Sequence, residues 1–260
     1  MDVGMRAAFA FLLALTLGGC GRPQEVAAPP SKVASPQTGA PVDGLSDSGS
    51  TEHSTYEIRY PALAPEFAPV NQVLHVYADQ QKNAFLASAN ASDAGTEEGG
   101  YRWQMDINFD LRTQNADYLS VVAEGQSFTG GEYGNPLLAS FNFFRPTRRM
   151  IALADLFGDP DVALKRISAY VRKDLSGRPG NDKAELQRIA DGTAPKGENY
   201  AVFVLDSAGE GKARGVIVLF PTYQVASYEQ GTQQVRVPLS VFANLLRPEF
   251  RKTFVADAAK

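Results

Sequence analysis

Residues 101–112 alternate without a break: Tyr101, Trp103, Met105, Ile107, Phe109 and Leu111 are apolar, and Arg102, Gln104, Asp106, Asn108, Asp110 and Arg112 stand between them. A period of two places the first set on one face of a strand and the second on the other, so this stretch needs a core beneath it and water above it. Antiparallel sheets support such a two-sided strand, whereas all-parallel sheets bury both faces. Asp106, Asn108 and Asp110 open like a calcium loop, but Leu111 stands where glycine is required and Asp117 where a bidentate glutamate is required. The three polar residues therefore read as a solvated sheet face.

The remaining elements follow from the same patterns. Residues 56–60 and 118–128 read as strands, as do 138–144, and 147–151 reads as a short strand or turn. Phe67, Val70, Leu74, Tyr77 and Phe85 fall at helical spacing, predicting a helix over 65–89 with His75 on its surface or partly buried, and 90–100 is a loop. Asp159-Pro160 is a helix start, followed by Leu164, Ile167, Val171 and Leu175 on one face, and a second short helix is expected over 182–190. Strands are expected at 200–205, 215–220, 223–228 and 233–238, with turns at 209–212 and 229–232 and a closing helix over 239–250 interrupted by Pro248. The fold class is α+β: a mixed, largely antiparallel sheet packed against a few helices in a single globular domain.

Ahead of this domain, residues 7–17 form a short apolar run behind Arg6, and Leu17-Gly18-Gly19 lead into Cys20. About 20 residues are needed to span a hydrocarbon core, so the run reads as the core of a signal peptide, with Met1 or Met5 as its start. Small residues directly before the chain's one cysteine resemble a bacterial lipobox, which implies cleavage after residue 19 and acylation of Cys20. Loss of Asp2 and Arg6 leaves the net charge at −4. Residues 21–55 are rich in Pro, Ala, Ser and Gly and carry few bulky apolar groups, so they are expected to form a disordered tether from the lipidated cysteine, with His53 as a solvated residue in it. Gly21, rather than Asp, follows the cysteine, which by resemblance to sorting rules points to the outer membrane of a Gram-negative cell, facing the periplasm.

Composition narrows the chemistry. One Cys and two His give no disulfide framework and little for a metal centre, so neither cofactor nor metal is expected. With 25 Lys+Arg against 29 Asp+Glu, a nucleic-acid partner is not expected either. Gly125-Gln126-Ser127-Phe128-Thr129 lacks the second glycine of a nucleophile elbow. Gly209, Gly211 and Gly215 miss the dinucleotide fingerprint by one residue and precede no helix. Carboxylates alone suffice to cleave glycosides, so an envelope polysaccharide enzyme using Asp106 or Asp110 is the alternative to a binding protein, with a structural lipoprotein of an envelope complex as a third reading.

Three segments carry a resemblance. Thr129-Gly130-Gly131-Glu132-Tyr133-Gly134-Asn135, then Ile151-Ala152-Leu153-Ala154-Asp155-Leu156-Phe157, then residues 215–231 with Val235-Arg236-Val237-Pro238-Leu239, resemble in order and spacing the envelope domain of RsiV-type anti-sigma factors and of proteins associated with peptidoglycan deacetylases. The resemblance covers most of residues 56–246 and implies a domain over 56–256, with a first part at 56–130, a second at 131–246 and a tail at 257–260. It implies a non-catalytic recognition domain, for which a lysozyme-like muramidase or peptidoglycan is the expected ligand. Tyr133 stands where the family usually carries histidine. Tyrosine is amphipathic and common on recognition surfaces, so Glu132, Tyr133 and Asn135 are candidate contacts, with Tyr228 and Glu229 as a second patch. Tyr223 and Tyr228 equally suit a buried antiparallel strand. The anti-sigma segment has no counterpart in this sequence, so signalling to a sigma factor across a membrane is not expected.

Overall fold

The computed structural model describes residues 45–92, 101–209 and 211–255. Strands β1 (Ser46–Ser50), β2 (Ser54–Arg59), β3 (Trp103–Gln114), β4 (Tyr118–Phe128), β5 (Asn135–Phe144) and β6 (Arg149–Met150) form a six-stranded sheet in chain order. Every neighbouring pair is antiparallel except β2 and β3. Parallel neighbours need a crossover, and helix α1 (Ala68–Asn90) lies within it, after a 3-10 turn at Pro65–Phe67. Helix α1 buries Val70, Leu74, Ala78 and Phe85 against Ile58, Met105, Ile107, Phe109, Val121, Phe141 and Phe143 of the sheet. The apolar half of the alternating segment therefore meets α1, as its period requires. Each large side chain buried this way contributes roughly 1.5–3 kcal/mol.

A second sheet holds β7 (Phe203–Gly209), β8 (Lys212–Phe220) and β9 (Gln233–Pro238), all antiparallel. One face packs on helices α2 (Pro160–Ser176) and α3 (Lys183–Gly192), whose Leu164, Ile167, Val171, Leu175 and Ile189 meet Phe203, Val218, Phe220 and Val235. Both helices start on an aspartate cap: Asp159 accepts from the Val162 N–H at 3.1 Å and Asp182 from the Glu185 N–H at 2.8 Å.

Polar side chains join the two sheets. The β7 backbone has an edge with no strand beside it, and the first sheet supplies the missing partners. Ser140 Oγ accepts from the Phe203 N–H at 2.9 Å, Asn142 Nδ2 donates to the Phe203 carbonyl at 2.8 Å, and Thr113 Oγ1 donates to the Leu205 carbonyl at 3.4 Å. Ser120 Oγ accepts from the Leu205 N–H at 3.4 Å and donates to Asn142 Oδ1 at 2.6 Å. Ser120 and Asn142 are buried, so each bond replaces one that water would otherwise make. Val122, Val204 and Leu219 form a small apolar cluster beside this clasp. The first sheet's second face is thus divided. One end lies under β7, and the rest, carrying Glu57, Arg59, Gln104, Asp106, Asn108, Glu124 and Gln126, is exposed.

The expected α+β class holds, with a largely antiparallel sheet of six strands and a second sheet of three. Several finer expectations need correction. The tether does not run to residue 55, because Ser46–Ser50 pairs with β2 from Ser46↔Arg59 to Ser50↔Thr55. A sequence of small polar residues suffices there, since the pairing uses backbone groups and Asp47 is held by Lys82 Nζ at 2.6 Å and by the Tyr56 hydroxyl at 3.3 Å. The His53 carbonyl accepts from the Trp103 N–H at 3.0 Å, so His53 belongs to the folded edge, while His75 is exposed with its ring 4.1 Å from that of Tyr60. Residues 223–228 are a turn rather than a strand. The segment 239–250 is three 3-10 turns, Leu239–Val241, Ala243–Leu245 and Pro248–Phe250, rather than a helix. Its backbone is diverted toward residues 156–158: the Leu245 carbonyl accepts from the Gly158 N–H at 3.0 Å, and the Arg247 N–H donates to the Leu156 carbonyl at 2.9 Å. Cys20, the signal segment, the tether up to residue 44 and the tail at 257–260 lie outside the described residues. Among the described residues, no helix is long and apolar enough to cross a membrane.

Candidate functional site

Two segments far apart in the chain meet at the surface. The first is the loop between β4 and β5, where Gly130 and Gly131 take φ values of 88° and 105°, a region that side chains rarely enter. The loop closes on itself through Asn135, whose Nδ2 donates to the Ser127 carbonyl at 3.4 Å and to Thr129 Oγ1 at 3.5 Å. This geometry carries Tyr133 outward, 43% exposed.

The second segment links β8 to β9. The Gln224 N–H donates to the Pro221 carbonyl at 3.2 Å, which closes a turn with Tyr223 at φ 72° and 53% exposed. A non-glycine residue held there costs on the order of 1 kcal/mol, so the surroundings impose the conformation. Gln224 supplies part of that restraint, with Nε2 donating to the Gly192 carbonyl at 2.9 Å and the Asn199 carbonyl at 3.0 Å. Gly192 leaves no space for a side chain, since a Cβ there would sit 2.0 Å from the Gln224 oxygen. Buried Val225 and Ala226 follow, and then a 3-10 turn at Tyr228–Gln230.

The ring of Tyr228 lies between the other two. Its centroid is 4.7 Å from that of Tyr133, tilted by 47°, and 5.6 Å from that of Tyr223, tilted by 35°. Thr232 Oγ1 donates to Glu124 Oε1 at 3.1 Å, which ties this end of the turn to the exposed face of the first sheet. The Tyr133 hydroxyl is pushed above its ordinary pKa, first by its hydrogen bond with Glu132, then by that carboxylate's charge, with burial and the charge of Glu229 adding to the effect. The phenol is therefore a protonated donor at neutral pH, in an acidic field.

Of the residues singled out in the sequence, Tyr133 and Tyr228 are thus in contact and Glu132 and Glu229 flank them, whereas Asn135 serves the loop's own closure. Tyr223 was missed as a surface residue. Its β-forming side chain favours a strand, and the one contrary signal is Pro221 two residues before it.

The carboxylates proposed for the enzyme reading are arranged differently. Asp106 and Asp110 share one face of β3 four residues apart, which is about 13 Å at the usual strand rise, beyond the ~5–10 Å that paired glycosidase carboxylates need. Asp110 is paired with Arg112 at 2.8 Å. The Asp106 carboxyl is raised by desolvation, against the opposing effects of a hydrogen bond from Gln126 and the charge of Arg59. Glu57 is its cross-strand neighbour and is itself bound to Arg59 at 2.5 Å. Among the described residues, no three His, Cys, Asp or Glu side chains gather as metal ligands would.

Residues 154–240 match a family described as "Protein of unknown function (DUF3298)". The peptidoglycan-N-acetylmuramic acid deacetylase PdaC of Bacillus subtilis (strain 168) is 21% identical over 195 residues, which cover 75% of this chain and 39% of that protein. The chain therefore spans well under half of that relative. Two solved structures share the fold. A DUF3298 family member from Bacteroides fragilis has a TM-score of 0.53 and 16% identity, covering 76% of this chain and 86% of its own. A DUF3298 family protein from Pseudomonas aeruginosa PAO1 has a TM-score of 0.51 and 16% identity, covering 78% and 91%. The family match includes α2, α3, the second sheet and the turn with Tyr223 and Tyr228; the Tyr133 loop lies before it.

Proposed function

We propose that this chain is a non-catalytic recognition domain of the bacterial cell envelope, held at a membrane by acylated Cys20, and that its tyrosine cluster binds the glycan of peptidoglycan. The observation that carries this reading is the contact of two remote segments that clusters three tyrosine rings at the surface, Tyr133 and Tyr223 exposed and Tyr228 half-buried between them, with Tyr223 on a strained backbone. Such a cluster contributes little to folding, and aromatic faces with hydroxyl donors suit the apolar faces and hydroxyls of sugar rings. The distant relative named as a peptidoglycan deacetylase supports an envelope setting. The acidic surroundings of Tyr133 favour a second reading, a cationic lysozyme-like muramidase as ligand, whose approach Glu132 and Glu229 would steer.

The test is retention of the purified full chain on isolated sacculi and on immobilised lysozyme. Retention on sacculi is expected, with Tyr133→Ala and Tyr228→Ala each weakening it about tenfold, as loss of a central aromatic contact does. Retention on lysozyme alone would select the second reading, and retention on neither would end both. Turnover of peptidoglycan by the wild-type chain would overturn the non-catalytic assignment. Label from a fatty-acid analogue is expected on the wild-type chain and not on Cys20→Ser; an unlabelled wild-type chain would remove the anchor.

A further inference from the structure

A cleft of about 270 Å³ lies where the open part of the first sheet's second face meets the second sheet, lined by Arg112, Val204, Asp206, Ile217, Leu219 and Gln234 among others. Its size is at the low end for ligand sites, enough for the end of a chain and not for a large molecule. Both walls are irregular at the residues that line it. The β3–β4 register shifts between Leu111 and Thr113, and the β7–β8 register shifts between Asp206 and Ser207. Bulges of this kind re-aim side chains and concentrate at functional sites.

The charges follow a common arrangement. Arg214 donates Nε to Asp206 Oδ2 at 3.0 Å, Arg236 is ion-paired with the same oxygen through Nε at 2.9 Å, and Arg112 is ion-paired with Asp110 Oδ2 through Nε at 2.8 Å. The Asp206 side chain is 5% exposed, whereas the Arg214 and Arg236 side chains are 36% and 53% exposed. A buried carboxylate that fixes two guanidiniums by their Nε atoms is a positioning group, since it leaves the paired Nη donors for a partner. The Nη2 atom of Arg112 is ion-paired with Glu124 at 3.7 Å, a separation beyond hydrogen-bond length that leaves its N–H groups open to a closer acceptor. Paired Nη donors match the geometry of a carboxylate. Arg112 lines the cleft itself, Arg214 and Arg236 border it through their pairing with the lining Asp206, and Val204, Ile217 and Leu219 offer an aliphatic floor.

We infer that this cleft binds the carboxylate end of a short peptide with small aliphatic side chains, its carboxylate on the arginines and its methyl groups on the floor. The source of such a peptide rests on the envelope reading above: peptidoglycan stems carry alanine methyls and free carboxylates. The site itself is independent of the tyrosine cluster.

Titration of the full chain with N-acetyl-L-lysyl-D-alanyl-D-alanine, with the C-terminal amide of that tripeptide, and with peptide-free glycan strands tests this. The acid is expected to bind and to shift the methyl resonances of Ile217 and Leu219. The amide, and the variants Arg112→Gln and Arg236→Gln, should each bind about tenfold more weakly, the usual scale for a charge-assisted bond. Tyr133→Ala should leave tripeptide binding unchanged. Both arginines are partly exposed, and an unchanged Tm shows that their replacement leaves the fold intact. Equal affinity for acid and amide, full affinity in both arginine variants, or no tripeptide binding overturns the inference. Tripeptide bound without glycan would keep the cleft and remove the tyrosine reading; glycan bound without tripeptide would do the reverse.

Discussion

Under α1, Tyr60, Tyr77, Phe109 and Phe141 meet with ring centroids 5.2–6.1 Å apart. At the surface beside Glu124, Tyr133, Tyr228 and Tyr223 meet at 4.7 and 5.6 Å. The contact geometry is similar, and the consequence is opposite. In the first group Phe109 and Phe141 are buried, so ring contact adds about 0.5–1.5 kcal/mol per pair to the larger gain from removing apolar area from water. In the second group the outer rings, Tyr133 and Tyr223, stay wet, and Tyr223 sits on a backbone that tyrosine disfavours. Aromatic clustering therefore builds the core in one place and presents a surface in the other.

Replacing a ring in each group sharpens the contrast. Phe109→Ala opens a cavity beneath α1 and should cost about 3–5 kcal/mol by denaturant unfolding; a loss below about 1 kcal/mol would mean that this group is not the core. Tyr223→Gly removes both the strain and the exposed ring. The Tm is expected to hold or rise, by an amount on the order of 1 kcal/mol in stability, while retention on sacculi falls. A clear drop in Tm would show that the surface rings stabilise the fold and would break the comparison.

The smallest effect concerns Asp106, on the open face of the strand that carries Phe109 on its covered face. Desolvation raises its folded pKa above the ordinary 3.8, so the protonated carboxyl suits the folded state better than the ionised one. Its favourable contribution is present below the unfolded value and is lost as the pH rises through the folded one. Asp106→Asn should thus be slightly more stable than the wild type at neutral pH, by under about 0.5 kcal/mol for a surface position, and the difference should close below about pH 4. An unchanged difference across that range would remove the carboxyl as its cause.

Elements with a strong period or a sharp boundary were readable in advance. Residues 118–128 and 233–238 are β4 and β9 with the expected bounds, Asp159 caps the helix expected to follow it, and Asp182, where the second helix was expected to begin, is that helix's cap. What could not be read depends on contacts between distant segments. Ser120 and Asn142 look like wet-face residues of their strands, and only the edge of β7 makes them interior. The apolar spacing of Phe242, Leu246 and Phe250 imitates a helix, but the backbone there bonds to residues 156–158 instead. Tyr133 and Tyr228 were singled out separately, the first from a glycine-rich loop and the second from the end of an expected strand. Their contact, and the presence of Tyr223 beside them, follow from how Gln224 and Gly192 seat the second turn, which no local pattern records.

The clasp between the sheets limits how the molecule can move. Apolar layers can slide by fractions of an ångström and keep most of their attraction, but the bonds from Ser120, Ser140 and Asn142 to β7 are either made or broken. A shift of β7 by one residue would reverse which of its faces meets the first sheet and strand Asn142 without a partner. The joint therefore behaves as a latch with a single closed position, so the width of the cleft beside it is set once, at folding.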